Sequence, residues 1–106
     1  MKHITVAELQ ELIEETPDLH VLDVREQHEY DAGNIGATLL PLSSIRNMDV
    51  EAIEDWKNDP VVVHCKSGKR SMEACMILES LGFTQPVNLT GGIEAWLAIN
   101  GNRKIK

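Results

Sequence analysis

Cys65 closes the run Val61-Val62-Val63-His64, and Lys66-Ser67-Gly68-Lys69-Arg70 follows it before Ser71. A thiol attacks as its thiolate, and an unperturbed pKa of about 8.5 leaves it mostly protonated at neutral pH. This segment supplies two means of ionising it. Gly68 lets the backbone curl so that successive N–H groups point inward, as in an anion-binding nest. A helical pattern beginning at Ser71 adds the positive end of a helix dipole. Lys66, Lys69 and Arg70 bring positive charge that would draw in a small anion. The order strand, cysteine, cationic loop, helix describes a reactive sulfur nucleophile, with Cys65 as the catalytic residue and Lys66, Ser67, Gly68, Lys69 and Arg70 as its substrate-binding rim.

The other candidates carry less chemistry. Cys75 lies within Met72-Glu73-Ala74-Cys75-Met76-Ile77-Leu78, which reads as a packed helix face, so a Cys65–Cys75 redox pair is the weaker alternative. Strand alternation turns His64 away from the direction of Cys65, which suits a buried supporting histidine better than a general base. His3, His20 and His28 share no metal-ligand spacing with one another or with cysteine, so no metal and no cofactor are expected.

The elements that must hold this loop follow from periodicity. Thr5 and Glu8 form a capping box ahead of Val6, Leu9, Leu12 and Ile13 at helical spacing, and Thr16-Pro17 ends the element. Residues 20–24 and 38–40 read as short strands on either side of a short helix over 26–32. Asp49 is predicted to cap a helix with Val50, Ile53 and Trp56 on its apolar face. Val61–His64 is the strongest strand, Ser71–Leu81 a helix stopped by Gly82, Val87–Leu89 a last strand, and Gly91-Gly92 opens a final helix. Short apolar strands alternating with helices predict a parallel sheet covered on both faces. Ligands in such sheets sit beyond the carboxyl ends of the strands, where Cys65 falls.

The chain has 106 residues, enough for one domain over 1–106, with 42% apolar residues to build a core. The net charge of −7 argues against nucleic acid or an anionic membrane as partner. The charge is uneven: residues 1–65 hold 14 acids and 4 bases, and residues 66–106 hold 3 acids and 6 bases. A cationic spot on an acidic protein is a candidate anion site. No apolar run reaches the roughly 20 residues of a membrane helix, and the first residues lack a signal-peptide core. The chain is therefore expected in the cytoplasm. Two cysteines define neither a secreted disulfide scaffold nor a zinc-type pair.

Four segments give the chain a resemblance to single-domain rhodaneses. They are Leu22-Asp23-Val24-Arg25-Glu26 with Glu29-Tyr30, Gly33-Asn34-Ile35-Gly36-Ala37 up to Pro41-Leu42, the Cys65–Arg70 loop, and Asn88-Leu89-Thr90-Gly91-Gly92-Ile93-Glu94-Ala95-Trp96. The resemblance implies an α/β fold with a mostly parallel five-stranded sheet and helices on both faces. It implies a thiosulfate sulfurtransferase, in which Cys65 takes a sulfane sulfur from a small anionic donor as a persulfide and yields it to cyanide or a thiol. A protein sulfur acceptor is a further partner it allows. Asp23, Arg25 and Glu26 would brace the sheet and loops, and Gly91-Gly92 and Trp96 would serve as turn and packing residue. The segment at 33–37 is one residue shorter than the family's Gly-His-Ile-x-Gly-Ala and has Asn for His, so the chain after it is expected to take a different path.

Two rival readings differ in class. One is a sulfur-relay or regulatory binding module of the same fold. The other is a cysteine phosphatase or arsenate reductase, since His64-Cys65 to Arg70-Ser71 resembles His-Cys-x5-Arg-Ser/Thr. Here four residues separate Cys65 from Arg70 rather than five, and the shorter ring suits one added sulfur atom better than a tetrahedral oxyanion.

Overall fold

The computed structural model describes residues 1–105. Its five strands are β1 (Lys2–Ile4), β2 (His20–Asp23), β3 (Thr38–Leu39), β4 (Pro60–His64) and β5 (Gln85–Leu89). They form one sheet in the order β1-β5-β4-β2-β3, and each pairing is parallel. The helices are α1 (Val6–Glu15), α2 (Gln27–Ala32), α3 (Leu42–Arg46), α4 (Lys69–Ser80) and α5 (Gly92–Asn100), with a 3₁₀ stretch over Glu51–Trp56.

The central strand shows why the sheet is covered on both faces. Val61, Val62, Val63 and His64 are all fully buried. Val61 and Val63 join a core with Leu42, Ile45, Ile53, Ala74 and Leu78, beneath α3 and α4. Val62 points the other way, into a core with Leu9, Leu89, Ile93 and Trp96, beneath α1 and α5. Each fully buried aliphatic side chain contributes on the order of 2 kcal/mol of hydrophobic stabilisation. Register places Asp23 beside His64, Val63 beside Asn88, and Asn88 beside His3, so these residues line up near the carboxyl ends of their strands.

The structure departs from the sequence reading in four places. The fifth strand is β1, three residues too short to show an alternating pattern. Helix α3 follows Pro41 directly and has only five residues. Asp49 does not cap a helix. Its N–H bonds back to the Ser44 carbonyl at 2.9 Å while Met48 N–H bonds Ile45, so both residues close α3. The stretch after them is a 3₁₀ helix interrupted at Ile53. Finally, α4 begins at Lys69 rather than Ser71, because Gly68 at φ +114° turns the chain into the helix two residues earlier. Lys69 and Arg70 thus belong to the first helical turn. In the shortened 33–37 segment, Asn34 Oδ1 accepts the Gly36 N–H and its Nδ2 donates to the Tyr30 carbonyl, which holds the turn closed.

Candidate active site

Cys65 leaves the end of β4 and is only 1% exposed. Its sulfur accepts the Gly68 N–H at 3.1 Å and lies 3.4 Å from the Ser71 hydroxyl. Burial raises the pKa of this thiol, yet the Ser71 side chain and the backbone N–H groups of Ser71, Gly68 and Ser67 together outweigh it. The net result holds Cys65 below the ordinary thiol range. A buried sulfur with a backbone N–H donating to it and a hydroxyl beside it is a site for negative charge on sulfur.

The loop keeps this shape because its carbonyls are tied behind it. The Cys65 carbonyl accepts the Ile93 N–H at 2.9 Å, and the Lys66 carbonyl accepts the Glu94 N–H at 3.1 Å. These two donors come from the first turn of α5, whose N–H groups have no partner within the helix. With the carbonyls held outward, the amides further along the loop turn toward sulfur. Gly92 permits the approach: a Cβ there would lie 2.5 Å from the Cys65 oxygen and 2.6 Å from the Lys66 oxygen.

His64 supports the same carbonyl. Its Nδ1 lies 3.1 Å from Cys65 O, and a carbonyl only accepts, so Nδ1 carries the proton. Burial holds His64 below the usual histidine range, against the upward pull of Asp23. Asp23 is itself fully buried and receives Arg25 through both oxygens, while Arg25 also donates to the Gly33 carbonyl. This pair ties the end of β2 to the turn after α2. Neither residue hydrogen-bonds Cys65 through its side chain.

The cationic residues separate into two kinds. Arg70 is committed to Glu29 through two bonds of 2.7 and 2.9 Å. Glu29 also accepts the Glu26 N–H at the start of α2. The Arg70 guanidinium lowers the Glu29 carboxyl to about 2, against a smaller upward effect of burial. Lys66 and Lys69 are exposed and make no ion pair among the described residues. Cys75 is fully buried on α4, and burial, helped by Glu79, pushes its thiol up to about 12.

The structure therefore brings Cys65, Ser67, Gly68 and the flanking Lys66 and Lys69 into one loop and turn, with Arg70 drawn toward α2. Sequence reasoning missed Ser71, Asn88 and Glu29. Ser71 is fully buried and Asn88 only 3% exposed. A polar residue inside the apolar run Val87-Asn88-Leu89 was the available signal for Asn88. Glu29 stands in one of the resemblance segments, but its pairing with Arg70 gave no signal, because only the fold carries α2 to α4. Among the described residues no cluster of three or more His, Cys, Asp or Glu side chains could hold a metal ion. No helix of the described residues is long and apolar enough to cross a membrane.

Comparison with known proteins places the chain in a family. The model of the rhodanese-like domain matches residues 5–99. A putative sulfurtransferase of Bacillus subtilis, YtwF, is 39% identical over 98 residues, covering 91% of this chain and 90% of the relative. The thiosulfate sulfurtransferase GlpE of Coxiella burnetii is 34% identical over 97 residues, covering 92% and 88% of the two chains. A crystal structure of a rhodanese-like domain protein from Staphylococcus aureus superposes with a TM-score of 0.80 at 33% identity, covering 91% of each chain. The human single-domain sulfurtransferase TSTD1 gives a TM-score of 0.78 at 25% identity over 92% of this chain and 96% of that one. The matched span contains the cysteine loop, the strands that carry it and the α5 turn that holds it, and the chain belongs to the rhodanese-like domain family.

Proposed function

We propose that this protein is a thiosulfate-type sulfurtransferase working through a persulfide on Cys65. The observation that carries the reading is the Cys65 sulfur itself, lowered in pKa and surrounded by the Gly68 N–H and the Ser71 hydroxyl. Sulfurtransferases among its relatives support the broad activity.

The thiolate attacks the outer sulfur of thiosulfate or a similar donor. A new S–S bond forms, the bond from that sulfur to the sulfonate sulfur breaks, and sulfite leaves with the electron pair. The persulfide keeps a negative outer sulfur, which the loop N–H groups and the Lys66 and Lys69 charges stabilise. Cyanide or a thiolate then attacks the outer sulfur and returns Cys65 as thiolate. Because the thiol is almost covered, the donor reaches it over the rim formed by the exposed residues Lys66, Ser67 and Lys69. Arg70 stays with Glu29 and steadies the first turn of α4. The same pairing counts against phosphate-ester chemistry, which needs an arginine free to clamp two oxygens.

A relay role uses the same Cys65 chemistry and differs in its acceptor. The putative sulfur carrier protein YrkF of Bacillus subtilis is 30% identical over 94 residues, so the fold occurs in that setting too. Steady-state kinetics test the reading. Thiosulfate and cyanide should give parallel double-reciprocal lines, and Cys65→Ser should give no turnover. Intersecting lines, or turnover of a phosphate ester in place of thiosulfate, would contradict it.

A further inference from the structure

The Ser71 hydroxyl has one proton and three acceptors around it. Asn88 Oδ1 lies at 2.5 Å, the Gly68 carbonyl at 3.1 Å and the Cys65 sulfur at 3.4 Å. In the described geometry the shortest contact takes the proton to Asn88. Ser71 Oγ then serves Cys65 only as an acceptor, which suits a protonated thiol. A thiolate needs the reverse, a hydroxyl that donates to sulfur.

Asn88 can supply that reversal without moving its backbone. Its amide has an acceptor at one end and two donors at the other, and rotation by half a turn exchanges them with little change in shape. At its far side Asn88 Nδ2 lies 3.2 Å from Nδ1 of His3 on the edge strand β1. We propose that Asn88 is a positioning residue whose amide turns over when Cys65 ionises, so that the Ser71 hydroxyl donates to the sulfur. This role rests on Cys65 being the nucleophile of the sulfur-transfer reading.

In both states the bonds along the row Cys65–Ser71–Asn88–His3 each pair one donor with one acceptor. With the thiol, Cys65 S–H donates to Ser71 Oγ, Ser71 O–H donates to Asn88 Oδ1, and Asn88 Nδ2 donates to His3 Nδ1, whose ring proton sits on Nε2. On ionisation the thiol proton leaves to solvent. Asn88 Nδ2 then donates to Ser71 Oγ, Ser71 O–H donates to the Cys65 sulfur, and Asn88 Oδ1 accepts from a proton now carried on His3 Nδ1. An amide that donates into the hydroxyl oxygen also strengthens its bond to sulfur. The other charged or titratable groups around the sulfur are Lys66 and Lys69 on the rim, Arg70 with its partner Glu29, Cys75 on α4, and His64 behind the loop. None of them is hydrogen-bonded to the Ser71 hydroxyl, whose partners are Cys65, Gly68 and Asn88.

The test is the pH profile of Cys65 alkylation by iodoacetamide in the Cys75→Ala background, measured without any sulfur donor. It therefore stands apart from whether sulfur transfer occurs. Asn88→Leu keeps the side-chain size and removes the donor. It should raise the apparent thiol pKa by about half to one unit, a ~3- to 10-fold smaller thiolate fraction below that pKa. In a Ser71→Ala background the same change should produce no further shift. Equal shifts in both backgrounds, or none in the first, would overturn the proposal. A second readout needs no change at Asn88. Its side-chain amide NMR signals should titrate with Cys65 in the parent protein and cease to do so in Ser71→Ala; signals that ignore the Cys65 titration, or follow it without Ser71, would overturn it equally.

Discussion

Gly92→Ala tests whether α5 shapes the cysteine loop. The new Cβ would sit 2.5 Å from the Cys65 carbonyl oxygen, and 2.6 and 2.7 Å from the oxygen and carbon of the Lys66 carbonyl. These are backbone atoms, and Ile93 and Glu94 already hold both oxygens. The loop cannot yield without lengthening those bonds. Gly92 also lies at φ +55°, where an L side chain costs about 1–2 kcal/mol. Forcing a methyl into occupied space adds about 1–3 kcal/mol. The expected loss is thus about 2–5 kcal/mol, read as a lower urea midpoint at unchanged slope. Gly82→Ala separates the two effects, since Gly82 has φ +99° with only the Lys57 side chain near, at 4.0 Å. It should lose only the conformational part, about 1–2 kcal/mol. The excess in Gly92→Ala should also appear at sulfur, as an alkylation profile shifted to higher pH because the loop amides no longer converge. If Gly92→Ala loses no more stability than Gly82→Ala and alkylates with the parent pH profile, α5 does not position the loop.

The remaining expectations concern charge and the second cysteine. Glu29 titrates near 2 in the folded protein and near 4.3 when unfolded, so its pairing with Arg70 stabilises the fold above about pH 4.3, and that contribution fades as the pH falls toward 2. Because Arg70 and Glu29 are 35% and 21% exposed, the contribution is under about 1 kcal/mol. Glu29→Gln should therefore flatten the acid side of the stability curve from urea titrations, and an unchanged curve would show the pair to be idle. Lys66→Ala with Lys69→Ala should raise the KM for thiosulfate severalfold and weaken its dependence on ionic strength; an unaltered KM would remove these lysines from donor capture. Cys75→Ala should cost about 1–2 kcal/mol through the small cavity it leaves and preserve sulfur transfer. Lost turnover in that variant, if folded, would restore a two-cysteine mechanism.

Much of the fold was legible because its signals are local. The run Val61–His64 contains only residues that a strand buried on both faces accepts, and it delivers Cys65 to the strand end. The capping box at Thr5 and Glu8 forms as written, with Thr5 N–H donating to Glu8 at 3.0 Å and Glu8 N–H donating to Thr5 at 3.2 Å. What escaped depends on contacts between distant segments or on very short elements. Strand β1 exists because β5 offers it an edge. Asp49 has the chemistry of a cap, but Val50 rather than Asp49 stands at the position that opens the 3₁₀ stretch. Arg70 looked like a free cation until the fold brought Glu29 to it. The approach of Gly92 to the Cys65 carbonyl is visible only once α5 lies against the loop.

Sulfur transfer through Cys65 is tested most directly by intact-mass spectrometry after incubation with thiosulfate. One sulfur atom, about 32 Da, should be gained, lost again on adding cyanide, and never gained by Cys65→Ser. An unmodified protein, or an adduct that persists in Cys65→Ser, would contradict the account.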